Sequence, residues 1–337
     1  MAEINRATAV TPGAVVATAL LNHPRRGISE GELIEMSGRL TQLLTRLGAR
    51  VSAALVGPDG ALREEAVRDA VGLFLDAEMV VATVPGEGTT PARRRRAKIY
   101  TGPDVIYAIP DDKRLSLDLS KNIIVHFFVP RALVAAGLSA PRGPENQAEN
   151  GIPAQLSLGR ATLEDRVQKL SRLFKFEFMF RADATFEQIF AETLSEMVTS
   201  GELVEDAKGQ VECGPGHDGL DGRGWIGFYA SITRTFLEGY RVAARGLAFL
   251  LKGPAAQKDL VKRALVAGDR MFLGGEIERK EAVSRPTLEN AYLAFADQGY
   301  LTLAQGKATL AESFATAAAV RAIESKVAGY FMSEVQN

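Results

Sequence analysis

At 337 residues with 46% hydrophobic side chains, the chain is long enough to bury one large core or two moderate ones. Its 40 basic and 41 acidic residues leave a net charge of −1, which excludes a nucleic-acid binder working through bulk positive field. Cys213 is the sole cysteine, so an intrachain disulfide and a Cys-rich zinc module are excluded, and a reducing cytosolic setting suits the composition.

The N-terminus lacks the basic, apolar and small-residue order of a secretory leader, so export is not expected. Residues 51–56 read as a short strand, and residues 62–84 as a helix of about 12 residues followed by an extended run at 79–84. Arg93, Arg94, Arg95 and Arg96, extended by Lys98, then form a basic run with no acidic residue between Glu87 and Asp104. Guanidiniums cannot be buried without counter-charges, so this run is expected in solvent or against an anionic surface, to which Arg25 and Arg26 could add. A strand is expected at 105–109. The apolar stretch 122–138 is about 17 residues long and contains Pro130 and Arg131, too short and broken for a membrane span.

Residues 139–160, rich in Pro, Gly, Asn and Gln, read as a linker between an N-terminal helical part with a small wing, 1–138, and a C-terminal helical part, 161–337. Residues 185–213 repeat the layout of 62–84, with an extended run at 203–206, and residues 287–310 repeat it again, with one at 300–303. Gly201 and Gly299 stand where a helix end wants a glycine. The stretch 205–224 carries six glycines and Pro215 and is expected as a mobile loop, neither helix nor central strand. Residues 225–251 have the length of a membrane span, but Arg234, Glu238, Arg241 and Arg245 recur along it. Four charges at mid-bilayer would cost roughly 2.5–3.5 kcal/mol each. A helix packed in protein is expected instead, with Phe228, Ile232, Phe236 and Tyr240 buried and the charges on an opposite or flanking face. The fold class is therefore mainly α, multi-helix with short β-wings. Winged-helix-like modules and plain alternation of helix and strand both remain open.

Candidate chemistry centres on the three histidines, His23, His126 and His217. Cys213, His217, Asp218 and Asp221 could in principle ligate a metal, but their spacing matches no ligand pattern and a glycine-rich loop lacks the rigidity of a preformed site. A solvated loop is expected there. His126 follows Asn122 by four residues, so on one helix the two would share a face and hydrogen-bond to each other or to a neighbouring backbone, which makes His126 a satisfied core histidine. His23, before Pro24, reads as a helix-end residue. Phosphate-cradling loops, dinucleotide fingerprints, nucleophile elbows and HExxH are absent from the sequence, which lowers the expectation of an independent enzyme.

Five stretches, at 4–29, 119–138, 170–190, 236–247 and 274–301, resemble in order the region that follows the catalytic domain of bacterial glycerol-3-phosphate acyltransferases. LSRLFKFEFMFRADATFEQIF and LSKNIIVHFFVPRALVAAGL are the most telling. That family works through a His-x4-Asp box, whereas the residues five positions after the histidines here are Ile28, Arg131 and Gly222, so no histidine has its orienting aspartate. The resemblance implies a noncatalytic, mostly helical region supporting or regulating a separate acyltransferase domain in phosphatidic acid and phospholipid synthesis. This chain alone is expected to be inactive. It also implies a peripheral position at the inner face of the cell membrane, with the acyltransferase domain and an anionic membrane surface as partners. A stand-alone winged-helix-like interaction or DNA-binding module is the alternative, although nucleic acid is not the expected partner. No catalytic, cofactor-binding or metal-ligating residue is assigned; the sole candidate surface is Arg93, Arg94, Arg95 and Arg96.

Overall fold

The structure, a computed structural model, describes residues 8–84, 88–89, 105–140, 156–181 and 183–331, so the arginine run at 93–96 and most of the expected linker lie outside the described residues. The chain divides into two compact units, Met1–Phe128 and Val129–Asn337.

In the first unit, β1 (Ala9–Val10) leads into α1 (Pro12–Asn22), whose start is set by Thr11, accepting from the Ala14 N–H, and by proline at its first turn. Every residue from Ala14 to Asn22 is buried. β2 (Gly27–Ser29) runs into α2 (Glu30–Arg46) through a reciprocal cap: Ser29 Oγ accepts from the Glu32 N–H, and Glu32 Oε2 accepts from the Ser29 N–H at 3.1 Å. β3 (Arg50–Val51), α3 (Glu64–Asp76), β4 (Val81–Val84), β5 (Gly88–Thr89), β6 (Ile106–Ala108) and α4 (Arg114–Asn122) follow. The expected strand at 51–56 is shorter than anticipated, because the chain turns at Ser52 to accept from the Leu55 N–H. β1 pairs in parallel with β3, and the larger sheet has the order β2-β6-β4-β5.

α5 (Val125–Ser139) begins in the first unit and continues into the second, where it is followed by β7 (Ser157–Gly159), α6 (Arg160–Leu173), α7 (Phe186–Thr199), β8 (Leu203–Glu205) and β9 (Gln210–Cys213). α8 (Gly222–Gly246) runs into a 3-10 turn at Leu247–Lys252. Then come β10 (Ala255–Ala256), α9 (Gln257–Leu273), α10 (Arg285–Asp297), β11 (Leu301–Ala304), β12 (Lys307–Leu310) and α11 (Ala317–Ala328). Two expectations are corrected here. Ser157–Gly159, read as linker, is the strand β7, and the glycine-rich stretch contains β9, the central strand of the sheet β7-β9-β8. β9 alternates exposed Gln210 and Glu212 with Val211, which is fully buried, and this two-residue period is masked by glycines on both sides.

α8 forms the axis of this unit. Phe228, Ile232, Phe236 and Tyr240 are all buried, as the aromatic spacing predicts. Phe174 meets Phe236 and Tyr240 edge-on at 6.2 and 5.2 Å between ring centres. Gly239 lets a second 3-10 turn, at Lys280–Ala282, and α10 approach the axis, since a Cβ there would stand 2.9 Å from the Ala282 carbonyl and 2.6 Å from Thr287 Cγ2.

One layout occurs three times. A short strand, two helices and two further strands succeed one another as β2-α2-α3-β4-β6, β7-α6-α7-β8-β9 and β10-α9-α10-β11-β12, apart from β3 and β5, which are additional in the first copy. In each the first strand pairs antiparallel with the last, giving the orders β2-β6-β4, β7-β9-β8 and β10-β12-β11. The second helices also end alike. The Met79, Glu202 and Tyr300 N–H groups reach back to the Phe74, Met197 and Phe295 carbonyls at 2.8–2.9 Å, across a left-handed residue at Glu78 (φ 54), Gly201 (φ 80) and Gly299 (φ 75).

Among the described residues no single helix is long and apolar enough to cross a membrane. The stretch at 122–138 belongs to α4 and α5, which bend by 99°. The break falls ahead of Val125, while Pro130 lies inside α5 without ending it.

Candidate functional site

The densest polar constellation gathers around Glu202, the residue after the glycine exit of α7. Its layout places it inward, and its side chain is fully buried. Three partners from separate elements meet its carboxylate. The Tyr229 hydroxyl of α8 donates to Oε1 at 2.7 Å, His217 Nε2 lies 3.1 Å from the same oxygen, and Arg131 Nε of α5 donates to Oε2 at 3.3 Å. Arg131 also pairs with Glu196 at 3.2 Å. Burying a carboxylate without such partners would cost several kcal/mol.

His217 is held on every side. Its Nδ1 lies 3.0 Å from Asp218 Oδ2, its ring stacks on Trp225 at 4.6 Å and 25°, and its carbonyl accepts from the indole N–H at 3.1 Å. Both ring nitrogens thus face carboxylate oxygens. The surrounding loop is packed, which corrects the expectation of a solvated one. A Cβ on Gly214 would lie 2.3 Å from the Gly201 carbonyl, and one on Gly222 would lie 2.4 Å from the Gly214 carbonyl.

The other residues weighed for this site do different work. Asp221 caps α8 by accepting from the Gly224 N–H at 2.7 Å. Cys213 sits in β9 opposite Leu203, and burial pushes its thiol up to about 11. Among the described residues no three His, Cys, Asp or Glu side chains converge as a metal-binding set. Asn122 ends α4 ahead of the bend, and its Nδ2 donates to Asp118 Oδ2 at 2.9 Å, while His126 stands beyond the bend in α5 with its ring 4.1 Å from that of Phe127. His23 ends α1, as its place before Pro24 suggested, and burial lowers its imidazole below the usual range. Arg25 is tied to Glu32 in an ion pair.

The charges of α8 form a second constellation and are far less solvated than a polar stripe would be. Glu238 is fully buried, accepting from Arg234 Nε at 3.0 Å and from the Glu278 and Arg279 N–H groups at 3.1 and 2.8 Å. Burial raises its carboxyl above the ordinary range despite Arg234 and Arg279 nearby. Arg241 and Arg245 share Glu324 of α11, at 3.2 and 2.6 Å, and both reach Glu276. The hydrogen bond to Glu324 is the main reason the Arg245 guanidinium is held above its usual range. The set at Glu202 was not legible beforehand, because its members come from separate stretches of chain; of the second set the sequence showed the four charges of α8 and not their partners Glu276, Glu278 and Glu324. The one local signal was an acidic residue, Glu202, directly after a glycine helix exit, where an apolar residue is usual.

Both constellations work chemically as clamps. They satisfy buried charge and fix loops against helices. Comparison with known proteins bears on what such a framework serves. Residues 1–304 match the family model described as the glycerol-3-phosphate acyltransferase C-terminal region. Over 206 residues the chain is 29% identical to the plsB1 proteins of Mycobacterium bovis and of two strains of Mycobacterium tuberculosis, whose names describe them as acyltransferases. That match takes in 61% of this chain and 28% of each relative, so the chain spans well under two thirds of the length of the relatives it matches. With nine-tenths of its residues inside the family model, the chain belongs to the family of glycerol-3-phosphate acyltransferase C-terminal regions.

Proposed function

We propose that this chain is a noncatalytic region that supports or regulates a glycerol-3-phosphate acyltransferase domain in phosphatidic acid and phospholipid synthesis. One observation carries the reading. The chain lies within the C-terminal-region family, yet none of its histidines has an aspartate five positions on. At the relevant place after His126 stands Arg131, which is engaged with Glu196 and Glu202. His217, the one histidine flanked by carboxylates, is held in a packed loop.

The acyltransferase domain is the proposed partner, and the inner face of the cell membrane the proposed location, with Arg93 to Arg96 meeting anionic headgroups. Nucleic acid is disfavoured by charge. α3 carries Glu64, Glu65, Asp69 and Asp76 against Arg68, and α7 carries Glu187, Glu192 and Glu196 with no basic residue. Acidic helices facing a phosphate backbone would repel it.

The test is reconstitution. The chain alone is expected to transfer no acyl group to glycerol 3-phosphate from acyl-CoA or acyl carrier protein. Added to a separately produced acyltransferase domain, it is expected to bind that domain and raise its activity or thermal stability. Turnover by the purified chain, lost on His217→Ala, would overturn the reading.

A further inference from the structure

A cleft of about 420 Å³ opens in the second unit where α6, the turn after α10 and α11 meet. Among the described residues, Lys169 and Arg172 from α6 and Lys326 from α11 line it and no carboxylate does; Lys169 is paired with Asp165, which leaves Arg172 and Lys326 to face a guest. Neighbouring acids are already occupied. Asp165 pairs with Lys169 at 2.6 Å, Asp297 with Lys175 at 2.7 Å, and Glu324 with Arg241 and Arg245. Arg172 is exposed at the rim, and Lys326 Nζ donates to the Tyr300 hydroxyl at 2.7 Å while standing 5.5 Å from the centre of that ring.

This geometry sets the kind of guest. Because the Tyr300 hydroxyl accepts from Lys326, its own proton is available to an acceptor in the cleft. Tyr330, whose phenol burial pushes up to about 12, stays a donor at neutral pH. The half-buried Tyr330 ring also gives the cleft an apolar wall. The Arg172 fork, the Lys326 point charge and a phenol match a tetrahedral dianion with three terminal oxygens better than a singly charged, two-oxygen carboxylate.

We propose that this cleft binds a phosphate monoester, its phosphate held by Arg172, Lys326 and the Tyr300 hydroxyl and its organic part against the Tyr330 ring. A small soluble ester and the headgroup of a phosphatidic acid share that chemistry, and the cleft is an anion site in either case. It stands apart from the proposed support of an acyltransferase domain, since it needs no second domain to be measured.

The experiment uses the full chain with phenyl phosphate and benzoate as soluble probes, and phosphatidylcholine vesicles with and without phosphatidic acid. Calorimetric titration is expected to show saturable binding of phenyl phosphate, with benzoate weaker by about tenfold. The double variant Arg172→Gln, Lys326→Gln should lose about tenfold or more in phenyl phosphate affinity. Tyr300→Phe should show a smaller loss, and Lys258→Gln on exposed α9 none. Vesicle binding that depends on phosphatidic acid and falls in the double variant would make the lipid headgroup the source. Phenyl phosphate binding without it would make the source a soluble ester. Absence of saturable phenyl phosphate binding by the parent, or equal binding by parent and double variant, overturns the proposal. All substituted residues except Tyr300 are at the rim, and a melting curve for each variant separates lost binding from lost folding.

Discussion

Glu202 and Tyr300 occupy one position in two copies of the same layout. Each follows the glycine that ends the second helix, each N–H returns to a carbonyl of the last helical turn, Met197 or Phe295, at 2.9 Å, and each turns a buried side chain inward. Where the first copy has Met79, a thioether, the other two have groups that hydrogen-bond. A carboxylate at that place collects Arg131, His217 and Tyr229, whereas a phenol collects Lys326.

Removing the Glu202 carboxylate strands a guanidinium that is only 8% exposed and has Glu196 as its other partner. Glu202→Ala is expected to lower unfolding free energy by about 3–5 kcal/mol, as for one partner deleted from a buried pair. Tyr229→Phe, which removes a single donor, should cost about 1 kcal/mol. Urea titration of both variants and their double would read the coupling. Glu202→Ala within experimental error of the parent would show the cluster to be energetically idle.

Gly239 on α8 and Gly31 on α2 give contrasting tests of close approach. A Cβ at Gly239 meets the Ala282 carbonyl at 2.9 Å and Thr287 Cγ2 at 2.6 Å, whereas one at Gly31 meets nothing within 4 Å. Gly239→Ala should destabilise by about 1–3 kcal/mol through overpacking. Gly31→Ala, which lowers the backbone entropy of the unfolded chain, should be neutral or stabilising by up to about 1 kcal/mol. Paired thermal melts decide, and the reverse order would refute the packing of α8 on the 3-10 turn at Lys280–Ala282.

Two glutamates should give opposite pH signatures. Burial raises the Glu238 carboxyl in the folded state, so the native protein holds that proton to higher pH than the unfolded chain. Its contribution to stability is therefore present below the ordinary carboxylate range and lost as pH rises through the raised folded value. For Glu32, hydrogen bonds from the Ser29 backbone and side chain lower the folded value, so its contribution is present above the ordinary range and lost as pH falls. Denaturant midpoints between acid and neutral pH should lose part of their decline with rising pH in Glu238→Gln, and part of their rise in Glu32→Gln. Unchanged profiles in both would contradict these assignments.

The run Arg93 to Arg96 is expected to bind anionic vesicles peripherally and in a salt-sensitive way, since the Debye length falls from about 10 Å at 0.1 M to about 3 Å at 1 M. Co-sedimentation with phosphatidylglycerol vesicles should drop when all four arginines become glutamine, and drop for the parent at high salt. Equal sedimentation of parent and variant at low salt would remove the membrane role of this run.

The helices and their exits were legible because each leaves a long local trace. The aromatic spacing of α8 is one, and Gly201 and Gly299, both left-handed in the fold, are others. The strands that complete the three sheets were not. β2, β7 and β10 are two or three residues long, too short to show alternation, and β9 and β12 are hairpin returns fixed by pairing with β8 and β11. The constellation at Glu202 was hidden because its members, Arg131, Glu202, His217 and Tyr229, stand on separate elements. Reading α8 as a helix with a polar flank was right about the aromatic face and missed that Glu238 would be buried with its own set of donors.

The ion pairs of α8 also show where this chain cannot be cut. Family similarity ends at residue 304, the last residue of β11, yet β11 pairs along its whole length with β12, and β12 is the strand that joins it to β10. Beyond that hairpin, α11 supplies Glu324 to Arg241 and Arg245, and Lys326 to Tyr300. A chain trimmed at the similarity boundary would keep the guanidiniums and lose their shared counter-charge, and it would leave an unpaired strand edge ready to recruit another molecule. α11 therefore belongs with the hairpin it follows, although the family similarity stops short of it.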